Sequence, residues 1–319
     1  MNKKLIFILI AMICILAIVM VFDTVTVPTA AIWVDEGSAS GTADEIPASW
    51  NANLKYMLFQ IVFSDGSLND IQSTTSLLEY DEVDGRLELI SDNTVYVTGM
   101  AFSGYTGALA NVYIPSTKTI TVSSVEYAIT VSEVTNTAFA TSLNLVESIV
   151  FPSSVHTIAA STCARMTVLS SVTFQSENSA DYSLSIGNNA FLSCSALETV
   201  TFNGDWNVAS TISIGRYAFM ACSTMKEMWF NSTTTTVPTF GTYAFFGTAT
   251  TFRAFMLVTN RASYTTAIGA AKSVGFYDVT TAGVNLTTIN GTLTWYVDKA
   301  CTTTVTTPTN VDEGRYFAK

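Results

Sequence analysis

The stretch Leu184–Phe202, LSIGNNAFLSCSALETVTF, returns with spaced identities as ISIGRYAFMACSTMKEMWF over Ile212–Phe230. Ser185, Ile186, Gly187, Ala190, Phe191, Cys194, Ser195 and Phe202 recur unchanged as Ser213, Ile214, Gly215, Ala218, Phe219, Cys222, Ser223 and Phe230. Leu184, Leu197 and Val200 become Ile212, Met225 and Met228, so those positions stay apolar. Fixed positions separated by free ones mark a structural repeat, and a repeat decides the architecture before any single element does. Leu197, Val200 and Phe202 follow L-x-x-L-x-L, whose last two positions alternate as a short strand does. Ile186-Gly187 and Ala190-Phe191 predict a return arm, with glycine where a Cβ would clash and phenylalanine filling the interior. One unit cannot bury its own apolar face. Stacked units can, so the spacing predicts a solenoid.

Fainter copies extend the array. Leu169, Val172 and Phe174 sit at the same offsets upstream, with Thr162-Cys163 in place of Ala-Phe and Met166 in place of the cysteine. Before them, Ala138-Phe139 leads through Leu145 to Ile149, Phe151 and Pro152, with one extra residue ahead of the strand. An outlying copy runs from Ala101-Phe102 to Ile114-Pro115. Downstream, Phe240 to Phe245 restarts the motif, and its strand is blurred around Phe252 to Val258.

The pattern I-G-x-x-A-F-x-x-C-x-x-L-x-x-V-x-F, with F-P-S-S-V at Phe151–Val155, resembles the BspA-type leucine-rich repeats of microbial surface proteins. The resemblance covers roughly residues 96–280. The Asn or Cys ladder that other leucine-rich repeats place after the strand is missing. The resemblance implies a curved solenoid at a cell surface, commonly serving adhesion or host interaction, and no catalytic residues to carry over.

The flanks divide the chain into five expected parts. Residues 1–31 form a signal peptide or membrane anchor: Lys3 and Lys4 precede the unbroken apolar run Leu5–Phe22, long for a signal core and slightly short for a span. Both readings keep Lys3 and Lys4 inside and export the rest. Ile13 before Cys14 disfavours a lipoprotein. Residues 32–100 predict a β-rich region with strands at Leu54–Phe63, Leu87–Ile90 and Thr94–Gly99, capping the first coil. Strand-like alternation also runs from Thr119 to Val131. Residues 101–258 hold the repeats, 259–281 a cap with a short helix over Ala262–Ser273, and 282–319 a Thr-rich tail or partial β-module. In that tail Leu293, Trp295 and Val297 alternate as one strand does. The fold class is therefore α+β, mostly β.

Charge and residue chemistry narrow the function. A net charge of −11 argues against nucleic acid, whose phosphates need Lys and Arg. The early acids, among them Asp35, Glu36, Asp81, Glu82 and Asp84, read as a solubilising surface, and Asp81–Gly85 lacks the alternating ligands of a calcium loop. Cys163, Cys194, Cys222 and Cys301 lie beyond the leader. Equivalent positions on stacked coils project in parallel, which favours buried free thiols over a bridge between Cys194 and Cys222. No metal or cofactor is implied, since Cys-x-x-Cys is missing and His156 is the single histidine. Ser223-Thr224-Met225-Lys226 matches S-x-x-K and Ser91-Asp92-Asn93 matches S-D-N, but the order is reversed and K-T-G is missing. Asn231, Asn285 and Asn290 open glycosylation sequons.

The expected working surface follows from strand alternation. Inward Val200 and Phe202 bracket Thr201, which therefore points out. Thr173 and Trp229 are its counterparts in neighbouring coils, and Thr199 with Glu227 makes a second outward row. These five are the candidate ligand contacts, Trp229 either as a contact residue or packed under the C-terminal segment. The leading reading is a non-enzymatic surface protein that binds a surface protein or glycan through this face, with a membrane attachment if the leader is uncleaved. A structural stalk and an exported hydrolase using a carboxylate pair are its rivals.

Overall fold

Short apolar-alternating segments separated by compact arms pair in parallel rather than as hairpins, because each arm brings the chain back to the same level one coil further on. The computed structural model describes residues 54–175, 183–203, 211–231, 237–257, 273–280, 294–297, 303–306 and 314–318. The leader, Cys14, Cys301, the sequons at Asn285 and Asn290, and the expected helix except Ser273 lie outside them. Among the described residues no helix is long and apolar enough to cross a membrane.

The lead-in is antiparallel. A 3-10 turn at Leu54–Tyr56 opens β1 (Met57–Phe63), followed by β2 (Leu68–Asp70), the single-turn α1 (Ile71–Thr74), β3 (Leu78–Asp81) and β4 (Arg86–Leu89). At the β1–β2 turn Asp65 accepts from the Ser67 N–H at 2.8 Å, and Gly66 takes φ +82°. Strand β5 (Asp92–Tyr105) joins the two architectures. It pairs antiparallel with β4 and β1, while Met100–Phe102 run parallel to the next coil. The edge of the first coil is thereby occupied by β1, as an array end requires.

From β5 onward each coil gives one strand to each of two sheets. The coils are β5 with β6 (Asn111–Tyr113), β8 (Val125–Val134) with β9 (Ser148–Phe151), and β10 (Thr157–Ile158) with β11 (Ser171–Gln175). They continue with β12 (Ser183–Ile186) and β13 (Thr199–Asn203), β14 (Thr211–Ile214) and β15 (Glu227–Asn231), then β16 (Thr239–Phe240) and β17 (Arg253–Leu257). The inserted β7 (Thr117–Val122) pairs antiparallel with β8. The alternation from Thr119 to Val131 is therefore two strands of a hairpin. Ser123 and Ser124, at φ 49° and 68°, form a left-handed two-residue turn without the usual Asn-Gly signal. Past β17, β18 (Ser273–Thr280) extends the second sheet in parallel, and β20 (Gly314–Ala318) and β19 (Trp295–Tyr296) complete it antiparallel. Ser273, expected at the end of a helix, opens β18. Trp295 is buried whereas Val297 is exposed on a bend, so the expected alternation stops at Tyr296.

The sheet of β8, β10, β12, β14 and β16 is the element that the repeat reading missed. It arises from the Leu184-Ser185-Ile186 type of segment, whose apolar residues are buried and whose Ser185 is exposed. The arm between the sheets has a third ladder. Asn189, Phe191 and Ser193 donate backbone N–H groups to the carbonyls of Arg216, Ala218 and Met220 at 2.9, 2.8 and 2.8 Å. The arm is also constant: the interval from Ile158 to Ser171 recurs from Ile186 to Thr199, Ile214 to Glu227 and Phe240 to Arg253. From Val134 to Ser148 it is one longer, and the inward leucine position there is Val146, fully buried, not the half-buried Leu145.

The interior consists of stacked rings. Phe151, Phe174, Phe202 and Phe230 follow one another with centroids 5.0, 4.8 and 5.0 Å apart and near-parallel planes. Phe191, Phe219 and Phe245 form a second stack at 5.0 and 5.9 Å. All but the last of these spacings match the distance between paired strands, about 4.8 Å, so each ring sits over its homologue in the previous coil. The glycines serve close approach, not handedness: none of Gly187, Gly215 and Gly241 has positive φ. A Cβ on Gly187 would lie 2.5 Å from the Ala160 nitrogen, and one on Gly215 2.7 Å from the Asn188 nitrogen, both in the coil before. Phe191→Ala or Phe219→Ala should cost about 3–5 kcal/mol in urea unfolding, and less than about 1 kcal/mol at both would remove the rings from the core.

Cys163, Cys194 and Cys222 are buried free thiols. Cys194 donates its S–H to the Cys163 carbonyl at 3.0 Å, and Cys222 to the Phe191 carbonyl at 3.1 Å. Hydrogen bonding with Cys194 together with burial pushes the Cys222 thiol far above its ordinary range, and burial does the same to Cys163. Protonated, enclosed thiols do not react. All three should resist alkylation in the folded protein and label fully after denaturation without reductant. A Cys194–Cys222 cross-link in mass spectra would overturn the assignment.

Candidate functional site: the outer face of the second sheet

Alternation turns every second residue of β9, β11, β13, β15 and β17 away from the core, and parallel register lines these residues up from coil to coil. One row reads Val150, Thr173, Thr201, Trp229 and Phe255. The second reads Ser148, Ser171, Thr199, Glu227 and Arg253 along the same pairings. A third begins with Gln175 and Asn203. The Tyr113 hydroxyl donates to the Gln175 side-chain oxygen at 3.1 Å, tying the edge strand β6 across two coils. Thus the structure brings Thr173, Thr201 and Trp229 together in one row, and Thr199 and Glu227 in the next.

The five residues differ in surroundings. Thr173, Thr199, Thr201 and Glu227 are half-buried between flanking strands. Trp229 points outward as alternation requires, yet it is only 9 % exposed. Its ring stacks on Phe255 with centroids 4.1 Å apart and planes 12° apart, and Tyr296 packs against the pair. Its indole N–H donates to the Glu227 carboxylate at 3.0 Å, fixing that acid two positions back on the same strand. At the strand entry Lys226 and Glu198 approach to 3.6 Å with both side chains about half exposed, a pair contributing at most about 1 kcal/mol.

Sequence reasoning did not place Phe255 or Tyr296 on this face. Phe255 was hidden because the last coil is two residues shorter than the two before it, with Ser213 facing Thr239, which blurs the period. Tyr296 reaches the row only through the tertiary path of the C-terminal strands. Elsewhere, exposed His156 has Nδ1 2.8 Å from the Ser183 carbonyl, and Ser223 lies in a turn between arm and strand. No group of three or more His, Cys, Asp or Glu side chains able to hold a metal ion occurs among the described residues.

Repeated coils, each giving a strand of apolar-alternating pattern and a compact arm, define a leucine-rich-repeat solenoid. Residues 88–211 and 132–259 match the BspA type leucine-rich repeat region, in 6 copies. The chain belongs to the BspA-type leucine-rich-repeat family. A solved leucine-rich cell surface protein from Faecalibacterium prausnitzii A2-165 is similar at 19% identity and a TM-score of 0.31, over 55% of this chain and 53% of that one. The chain thus aligns with about half the length of that protein. No curated protein matches it.

Trp229→Ala should lower stability by about 3 kcal/mol, since it empties one side of the Phe255 stack. Phe255→Ala should do much the same, and the double variant should cost less than the sum, because the two share one contact. Unfolding free energies within about 0.5 kcal/mol of the parent for both single variants would show that the outer stack does not stabilise the fold.

Proposed function

We propose that this protein is displayed at a cell surface and binds a surface protein or glycan through the outer face of β11, β13 and β15, serving adhesion. The supporting observation is the pair of in-register outward rows, Thr173–Thr201–Trp229 and Thr199–Glu227, on a sheet backed by stacked phenylalanines. Such a face loses little conformational freedom on binding, because its backbone and its short side chains are already ordered. Hydroxyls supply donors and acceptors, and Glu227, held by the Trp229 indole, supplies one directed negative charge. Trp229 contributes mainly by positioning that carboxylate and by its remaining edge.

The reading is one of binding rather than catalysis. Hydrolysis by paired carboxylates needs two convergent acids, and the described outward positions of these strands carry one, Glu227. The apolar leader Leu5–Phe22 supports export, either as a cleaved signal or as a retained membrane attachment.

Pull-down from host and microbial surface extracts, with the exported region immobilised, tests the proposal. Thr173→Lys together with Thr201→Lys puts two long cations in the central row at half-exposed positions, where stability should change by no more than about 0.5 kcal/mol each. Capture should fall at least tenfold while the melting temperature holds. An unchanged set of captured partners would take the binding function away from this face.

A further inference from the structure

The turn arms carry a group of side chains that neither the core nor the sheet face uses. The second residue after the arm glycine, or after Ala159 where alanine takes its place, has a left-handed backbone in successive coils: Ser161, Asn189, Tyr217 and Tyr243 have φ of 64°, 59°, 59° and 58°. Asparagine is among the residues that tolerate this conformation, whereas a bulky side chain there is an outlier. Tyr217 and Tyr243 therefore sit in strained backbone with no core burial to offset it. Strain held in place by surrounding hydrogen bonds is a pointer to function. Tyr217 is so held, donating its N–H to the Thr242 carbonyl at 3.2 Å.

The two phenol rings are stacked, with centroids 5.8 Å apart and planes 7° apart. The Arg216 guanidinium lies over the Tyr217 ring at 4.3 Å and donates to the Tyr217 hydroxyl. The order is thus guanidinium, phenol, phenol. At the far end, Phe246 stands nearly perpendicular to Tyr243, at 5.9 Å and 76°. Tyr243 remains 58 % exposed and Phe246 62 %. Three aromatic rings and a cation meet at one corner, and Arg216 is the sole charged residue in the arms 183–197, 211–225 and 237–252 of a chain with net charge −11.

We propose that the corner formed by Arg216, Tyr217, Tyr243 and Phe246 binds a pyranose unit of a glycan. The sugar's C–H face packs on the exposed ring of Tyr243, with Phe246 as a wall at its edge. Its hydroxyls exchange hydrogen bonds with the Tyr243 hydroxyl, while Arg216, on the far side of Tyr217, holds in place the stack that presents that ring. A flat group with an apolar face and a polar rim matches this arrangement. A protein partner does not, because a stable interface buries about 1,200–2,000 Å² around an apolar centre. Here the apolar area is three rings, and the outward row in the same coils, Thr157, Ser185, Ser213 and Thr239, is hydroxyl throughout. The site is on the arms, not on the outer sheet face, so the two assignments fail separately.

The test applies the purified full chain to an array of immobilised β-glucan, chitin, mannan and uronate oligosaccharides, followed by calorimetry on whatever is retained. Tyr243→Asn removes the ring and places at that position the residue that Asn189 already supplies two coils earlier, while Phe246→Ser removes an exposed ring. Each should weaken the retained glycan at least tenfold. Tyr243→Asn should leave the melting temperature equal or raised, and Thr173→Lys with Thr201→Lys should leave glycan binding unchanged. Should Tyr243→Asn not fold, Phe246→Ser alone decides. An array with nothing retained, retention unaffected in the folded variants, or capture of proteins alone would overturn the proposal.

Discussion

Every coil must lie one strand spacing from the next over its whole circuit, and the rest of the structure follows from that. The sheets satisfy it by parallel hydrogen bonding. The arms satisfy it through the alternate N–H groups of Asn189, Phe191 and Ser193, which cross to the following coil. Such closeness leaves no room for a Cβ at Gly187 or Gly215, whose nearest atoms belong to the backbone of the preceding coil. The same distance sets the ring stacks, since Phe174, Phe202 and Phe230 are held about as far apart as their own strands. Side chains that stack well at that spacing are favoured inside, and the small polar thiols that fill the remainder donate to carbonyls of the coil before.

Coil length is free where that constraint does not act. From β10 onward the arms keep one length because the third ladder and the aromatic stacks pass through them. In those coils variation falls between the second sheet and the next coil of the first, where the last coil is two residues shorter than the two before it. A stack of this kind has open ends, and they are finished differently. At the amino end β1 lies antiparallel on β5, whereas beyond β17 the second sheet is continued by β18 and then by antiparallel β20 and β19. Tyr296, brought in by that last segment, joins the outer stack of Trp229 and Phe255.

Surface chemistry is then whatever the inward pattern leaves over. On the second sheet that remainder is mostly threonine and serine, with Glu227 and Arg253 side by side near the carboxyl end. On the arms the left-handed positions hold Ser161, Asn189 and Ser193, with Arg165 and Ala221 among them, and in two consecutive coils tyrosine. The exceptions are informative because the scaffold does not require them: threonine outside a strand follows from propensity alone, whereas tyrosine in left-handed backbone works against it.

The amino-acid sequence by itself determined the repeat, its inward positions and the direction of its outward ones. Identities such as Ile186-Gly187 and Ala190-Phe191 recur only if each coil contacts its neighbours in the same way, so Phe191, Val200 and Phe202 were legible as core, and Thr173, Thr199, Thr201 and Glu227 as face. Tertiary structure alone decided what covers that face and where separate segments meet. Trp229 faces outward by local alternation, but its burial depends on Phe255 in a coil of altered length and on Tyr296 from a distant strand. The split of Thr119–Val131 into a hairpin hung on Ser123 and Ser124, which carry no strong turn signal. The aromatic corner needed Tyr217 and Tyr243 to be set one above the other in consecutive coils. Periodicity encodes which side of a strand a residue takes, a property of its own backbone; coverage is a property of other parts of the chain, and no local pattern records it.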